Sequence, residues 1–486
     1  MKTYTIYLLS VLFSVSITAQ IDFIDASSLL PQNGTFYSWM QKGACDMNND
    51  RLDDIVRSTT TGNFYLLTQQ KMPGLPFIET YLGKFLPASP LSIICGDVNN
   101  DDFRDILTGG DNTGVKLLLS NQGANVTAVQ LPGSDTIFTQ ASAMADINGD
   151  GFLDLFVCHD DAKSGIWRND GFGGFIKDDM GINLHTVPTS DNSGNYGVVF
   201  TDFDNDGDLD FYISKCRAGV NDPNDPRRIN QLYVNNGNNQ YSEAAAEYNM
   251  KDNNQSWVTE FQDIDNDGDL DALILNHYTP SRLMRNNGSG YFTEITSGSG
   301  LESLPNGILQ AMMADFDNDG YVDVLVCGMT GAYLYKNNGN STFTSISHPI
   351  LEPVAGKTLR SFCAGDFNAD GFIDLYTSYY FGSVAADRLW LNAGNSNHFI
   401  SVNLFGYESN RNAVGARIKV EAGGKTYIRE IRSGESYGIS HAHCQNIGLG
   451  PNASISKLTV LWPDGKTNEF NNISIDKPIN ITEGRN

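Results

Sequence analysis

The sequence predicts an all-β fold: a seven-bladed β-propeller followed by a small C-terminal β-sheet or sandwich domain. Three observations predict it. An Asp-rich nonapeptide recurs seven times between Asp46 and Asp374, each copy lies between two short apolar segments, and beyond about Asn397 the repeat stops while strand-like alternation continues. Units of about 50 residues made of short strands are the mark of propeller blades.

The chain begins with Lys2, an apolar run from Ile6 to Ile17, and then Thr18-Ala19-Gln20. That is the order of a secretory signal, so residues 1–19 are expected to be a signal peptide cleaved after Ala19. A run this short does not span a bilayer, which needs about 20 apolar residues, and no later stretch is long enough either. The protein is therefore expected to be exported, to the cell surface, the periplasm or the medium. The formal net charge of −25 argues against nucleic acid, which is bound through clustered Lys and Arg. Seven cysteines, an odd number, leave at least one unpaired; Cys158 and Cys327 lie in apolar strands and are expected in the core.

The copies are DMNNDRLDD (46–54), DVNNDDFRD (97–105), DINGDGFLD (146–154), DFDNDGDLD (202–210), DIDNDGDLD (263–271), DFDNDGYVD (315–323) and DFNADGFID (366–374), spaced by 51, 49, 56, 61, 52 and 51 residues. A short strand precedes each turn and a more apolar one follows, as in LDALILN (270–276). A third strand ends at Asn-Gly, as in LYKNNG (334–339), and a fourth opens with an aromatic, as in YFTEIT (291–296). Asn-Gly suits a tight hairpin, so each unit reads as a four-stranded meander. The last unit lacks its fourth strand, while DFIDASSLL (22–30) has no partner. The mature N-terminus is therefore expected to complete blade seven and to cover its edge. The propeller is assigned to 20–396 and the second domain to 397–486, where KVEAGGKTYIREI (419–431) and TVLWPDGKTNEF (459–470) read as hairpins.

Positions 1, 3, 5 and 9 of the turns are the candidate metal ligands. They are Asp46, Asn48, Asp50 and Asp54; Asp97, Asn99, Asp101 and Asp105; Asp146, Asn148, Asp150 and Asp154; Asp202, Asp204, Asp206 and Asp210; Asp263, Asp265, Asp267 and Asp271; Asp315, Asp317, Asp319 and Asp323; and Asp366, Asn368, Asp370 and Asp374. Hard oxygen donors around one tight turn suit Ca²⁺, which takes six to eight such ligands. An Asp-rich turn held by side-chain-to-backbone hydrogen bonds is the metal-free alternative. Seven such clusters favour calcium, up to seven structural ions, because unscreened carboxylates repel. An EF-hand is excluded: position 12 should be Glu and is Arg57, Thr108, Val157, Ile213, Ile274, Val326 or Thr377. The weakest or most distorted binding is expected in the first two turns, where Arg51 and Asp102 replace the glycine at position 6.

The D-x-[DN]-x-D-G-x-x-D turns resemble the FG-GAP or VCBS repeats of integrin α-chain propellers and of secreted bacterial proteins. The tail resembles the ASPIC/UnbV domain of the cartilage acidic protein family in SNRNAVGARIKV (409–420), REIRSGESYG (429–438), Gly448-Leu449-Gly450 and LWPDGKTNEF (461–470). NIGLG (446–450) departs from the His-Phe usual before Gly-Leu-Gly in that family. The resemblance implies a secreted calcium-binding propeller with a small β-domain.

With the Asp turns and Asn-Gly turns on one face, the longest insertions, 180–195 and 215–230, emerge on the other. Loops on a rigid scaffold are plausible binding elements. Arg217, Arg227 and Arg228 are candidate receptors for a carboxylate or an anionic sugar, the alternative being pairing with Asp222 and Asp225. Tyr196, Trp257 and Trp39 are candidate stacking platforms, with packing as the alternative. His441-Ala442-His443-Cys444 carries transition-metal ligand types without an obvious fourth ligand, and reads as a surface loop of the tail. Catalytic motifs are lacking, and the repeats account for most carboxylate pairs. The expected function is a non-catalytic, monomeric binding or adhesion module for a glycan or an extracellular protein. The alternatives are a polysaccharide lyase or hydrolase and a structural matrix component.

Overall fold

The apolar segments flanking each Asp turn pair as antiparallel strands, and the turn is the hairpin between them. In blade four Asn195–Thr201 pairs with Asp210–Lys215, with Thr201 opposite Asp210 at the mouth of the turn. The computed structural model describes residues 20–485 apart from 32–36, 39, 124, 190, 354 and 381–383. The expected signal peptide and Trp39 lie outside the described residues.

Among the described residues, seven four-stranded antiparallel sheets follow one another along the chain. Six are continuous: 42–84, 92–130, 139–177, 195–243, 256–294 and 308–346. The seventh takes three strands from 358–392 and its outer strand from Phe23–Asp25, which pairs with Trp390–Asn392. The N-terminal segment thus closes blade seven. The first strand of each sheet is innermost, and these strands touch in sequence from blade one to blade seven and back to blade one. The chain is a β-propeller.

Inner and second strands are buried almost throughout, because each blade face packs on a neighbour. Separate apolar clusters fill the seams: Phe156, Phe200 and Phe211 between blades three and four, Phe316, Phe362 and Trp390 between six and seven. All seven cysteines are free and six are buried, Cys158 and Cys327 among them, as expected of small apolar residues.

Residues 398–482 form two further sheets. His398–Phe405 lies between Gln445–Gly450 and Pro478–Thr482, and Arg417–Ala422 lies between Lys425–Glu430 and Lys457–Leu461, with Thr467–Phe470 at the edge. Both hairpins read from the sequence are present. Among the described residues no helix is long and apolar enough to cross a membrane.

Candidate metal turns, axial plug and blade-four groove

The Asp turns share one hydrogen-bond plan. In six of them the position-1 carboxylate accepts the N–H groups of positions 5 and 6, as Asp315 does from Asp319 and Gly320 at 3.0 and 2.8 Å. In all seven the position-5 carboxylate accepts from position 7. Arg51 and Asp102 take the left-handed φ of 71° and 72° that glycine takes elsewhere, and the bonds to Asp46 and Asp97 survive. The first two turns thus keep the backbone path of the others, with non-glycine residues carrying the strain.

Position 9 has a second task. Its Oδ1 accepts the N–H at the end of the third strand in every blade, as Asp271 does from Asn286 at 2.8 Å. In six blades Oδ2 also accepts from position 2. The carboxylate read as a metal ligand thus first pins the turn to the second and third strands.

Position 3 sorts the turns. Where it is Asn, as in Asn99, Asn148 and Asn368, the amide donates to the position-5 carboxylate at 2.8 to 3.0 Å, and the turn satisfies itself. Where it is Asp, in turns four to six, three carboxylates converge. Asp202, Asp204 and Asp206, then Asp263, Asp265 and Asp271, then Asp315, Asp317 and Asp323 bring one oxygen each to within 4.8 Å of the others. Asp202, Asp210, Asp265 and Asp317 each keep a buried oxygen without a hydrogen-bond donor. Burial, reinforced by neighbouring carboxylates, pushes Asp315 up to about 8 and Asp263 to about 7. Burial also raises Asp202 to about 7 against the pull of Arg417. Such oxygens fit a hard divalent cation, whose charge would remove the penalty. In turn six an internal cation competes, since the Lys336 ammonium bonds both Asp317 and Asp319.

The tail domain sits on this face. Glu430 accepts the Asp202 N–H at 3.2 Å and pairs with Arg417 at 2.7 Å, and Arg417 in turn donates to the Asp202 carbonyl. Gly450 N–H donates to Asn318 at 2.9 Å, and Asn412 accepts from Asp97 at 2.8 Å. Gly448 lies so close to turn six that a Cβ there would meet the Asp315 carboxylate at 2.1 Å.

From Glu430 the chain enters the axial channel and touches the inner strand of every blade. Ser440 accepts from Ala44 and Gly438 from Ile93, at 3.0 and 2.9 Å, and Ser433 accepts from Met144 at 2.8 Å. Arg432 donates to Thr201 and Phe261, Ser436 Oγ accepts from Ala311, and His441 Nδ1 accepts from Ala364. The segment expected as a surface loop is instead an axial plug, because Ser, Gly and Ala are small enough to reach strand backbone lining a narrow channel. Burial lowers both imidazoles, His443 to about 3, so they sit neutral. Neither His nor Cys444 belongs to a metal-sized cluster among the described residues.

The plug tip explains the expected platforms. Tyr437 lies 5.1 Å from Trp257 and 6.2 Å from Tyr196, and Trp257 stacks on His277 at 4.7 Å and 2°. Trp257 is therefore packed among Tyr196, Tyr437 and His277, and Tyr196 is buried. These side chains seal the tip of the plug.

The three arginines staple loops. Arg217 pairs with Asp160 and Asp161, at 3.1 and 2.8 Å, rather than with Asp222 or Asp225. Arg227 chelates Asp225 and reaches Asp191 at 3.4 Å, joining the two insertions, and its hydrogen bond holds the Asp225 carboxyl below its ordinary value. Arg228 donates to the carbonyls of Asn253 and Val220. Between the stapled loops lies a groove of about 240 Å³ that sequence reasoning did not find. Val187, Pro226, Ile229 and Ala246 supply its apolar wall, and Gln231, Glu243 and Lys251 its polar one. Val187, 76% exposed, presents its side chain to solvent at the rim of the groove.

Residues 97–157, 146–213, 263–326 and 315–377 match the family model of the FG-GAP-like repeat, and 406–486 match that of ASPIC and UnbV. The chain therefore carries FG-GAP-like repeats and an ASPIC and UnbV domain. It is 25% identical over 456 residues to cartilage acidic protein 1 of Mus musculus, covering 87% of this chain and 61% of the relative. The protein of that name from Homo sapiens is 24% identical over the same length. The chain spans about 60% of the length of these relatives. Similar solved structures include the WD40 propeller domain of Doa1, 11% identical with a TM-score of 0.41, covering 74% of this chain and 94% of that one. An Agrocybe aegerita protein, described as specifically recognising non-reducing terminal N-acetylglucosamine, is 17% identical with a TM-score of 0.45, covering 63% and 79%.

Proposed function

We propose that the protein is an exported, calcium-stabilised, non-catalytic binding module whose working surface is the groove of blade four, and that its partner is a glycan or an extracellular protein. The groove carries the reading. It lies between the two longest insertions of an otherwise regular repeat, ion pairs hold its walls, and its lining mixes an exposed apolar wall with Glu243, Gln231 and Lys251. A concave apolar surface with a few fixed polar groups is what a sugar ring or a partner's side chain requires. Support for calcium comes from the converging carboxylates of turns four to six.

A glycan array and a panel of extracellular matrix proteins, probed with the full chain with and without EDTA, test this. Val187→Asp is expected to weaken binding at least about tenfold while leaving the melting temperature unchanged, since that side chain is solvent-exposed. Equal binding by the variant and the parent would remove the groove from the function. Release of shortened polysaccharide would make the protein an enzyme.

A further inference from the structure

We propose that the tail is a calcium-latched plug: cations in turns four to six hold the tail domain on the Asp-turn face and thereby keep residues 432–443 in the axial channel. This rests on the calcium reading above and goes beyond it, because it assigns the ions a moving part.

Two sets of contacts meet in the tail. Those on the turns use backbone that the turns present: the Asp202 N–H and carbonyl, the Asp317 carbonyl bonded by Asn397 at 2.8 Å, and the Asn318 carbonyl bonded by Gly450. Tyr427 and Gly448 fit against turn six so closely that a Cβ at Gly320 would meet the Tyr427 ring at 2.6 Å. These fits require the turns to hold one shape. Turns four and six are also turns in which three carboxylates converge with oxygens left unbonded, so their shape is costly without a cation. Turn two, which the tail meets through Asn412 and Asp97, is instead braced from within by Asn99. Asn at position 3 leaves the remaining turns with fewer carboxylates to screen.

The second set, in the channel, consists of hydrogen bonds to inner-strand backbone plus the stack on Tyr437. Gly434 and Gly438 pass so near the blades that a Cβ would meet the Ser142 and Leu91 carbonyls at 2.4 and 2.3 Å. The plug joins the propeller through the tail sheets at Glu430 and again at Gln445, so it follows the tail when the tail lifts. Calcium at the turns and burial of the plug are linked in one direction: each favours the other, by reciprocity of binding free energies. Arg417 and Arg429 do not replace the ions. Arg417 divides its charge between Asp202 and Glu430, and one Arg429 nitrogen, buried near Asp263 and Asp315, has no acceptor.

Hydrogen exchange of the full chain in calcium and in EGTA, with bound calcium counted by native mass spectrometry, decides the matter. Chelation is expected to speed exchange at Ala44, Ile93, Met144, Ser440 and Ala442 by at least about tenfold, while the second-strand amides of Asp271–Asn276 keep their protection. Asp265→Asn combined with Asp317→Asn should do the same in calcium, and Asp50→Asn in turn one should not. Gly438→Ala should free the plug even in saturating calcium, where the calcium count is unchanged, which shows that the readout follows the plug itself. Calcium stripped with the five amides still protected would overturn the latch. Equal loss of protection in Asp271–Asn276 would also overturn it, because calcium would then hold the ring rather than the tail. A mass unchanged by chelation would remove the calcium reading and the latch with it.

Discussion

Asn337 donates its side-chain amide to the carbonyl of Ile264 in the preceding blade and to that of Val322 in its own, at 2.8 and 3.0 Å. Asn169, Asn286 and Asn392 make the same clamp between their neighbours. In the sequence these residues are visible only as an Asn two positions before a turn glycine, because the partner carbonyl lies a whole blade away. Asn337→Ala leaves two buried carbonyls unpaired and is expected to cost about 2–4 kcal/mol, read as a lowered urea midpoint at unchanged slope. Lys215 carries a different cost. Burial pushes its amine down to about 7, and it has one strong partner, Asn195 Oδ1 at 2.9 Å. Between about 7 and the ordinary 10.5 the folded chain binds fewer protons than the unfolded one, so stability rises with pH across that window and the penalty is full below it. Lys215→Met should raise the melting temperature near neutral pH and lose that advantage towards pH 10.5; a difference independent of pH would show that the amine is not the cause. At turn six, Lys336→Met removes the ammonium from Asp317 and Asp319 and should tighten calcium there, counted by titration calorimetry against the parent.

At the scale of elements, the N-terminal strand was legible and the plug was not. A propeller blade missing one strand and an orphan strand-like segment at the other end of the chain are both properties of the repeat count, so their pairing follows from the sequence. Phe23–Asp25 pairs with Trp390–Asn392 in that way, with Ile21, Phe23 and Leu30 buried and Asp25 bonded to Arg388. Burying three large apolar side chains is worth about 5 kcal/mol, and the edge they cover closes the ring. Deleting residues 21–30 should therefore lower the melting temperature by at least about 5 °C, and an unchanged value would mean the ring closes without them. The plug gives no such signal. Arg432 to His443 lacks the alternation of a strand, and its partners come from seven segments scattered between Lys42 and Ala364. Its polar residues look like a surface loop, yet its backbone and the Arg432, Ser436 and His441 side chains bond inner-strand groups in the channel, and sequence alone does not show which groups are left unpaired there. The arginines of blade four illustrate the same limit: their charge was readable, whereas their pairing across the fold with Asp160, Asp161 and Asp191 was not.

For the whole molecule, the distribution of negative charge governs stability. A formal charge of −25 includes the position-1, -5 and -9 carboxylates that every turn contributes, and the sequence displayed all of them at once. It ranked only the first two turns as weakest, because a turn's appetite for a cation depends on whether its oxygens already have donors. Three of the turns with Asn at position 3 supply a donor from within, through Asn99, Asn148 and Asn368, and turns four to six leave carboxylate oxygens unpaired. Calcium should accordingly load turns four and five first, with turn six delayed by Lys336. Each ion held at a hundred times its dissociation constant adds about 2.7 kcal/mol, since the unfolded chain does not gather the ligands. Magnesium should substitute poorly, because it demands near-octahedral geometry and gives up water reluctantly, whereas these turns are closed by backbone on several sides. Scanning calorimetry in calcium, magnesium and EGTA is expected to give a melting temperature highest in calcium, with the calcium advantage shrinking in Asp204→Asn and Asp265→Asn more than in Asp101→Asn. Equal losses from all three substitutions would show that the seven turns bind alike and that the unpaired oxygens of turns four to six do not set the order. A melting temperature indifferent to chelation would leave the turns as hydrogen-bonded hairpins, in which the position-9 carboxylates alone hold second strand to third.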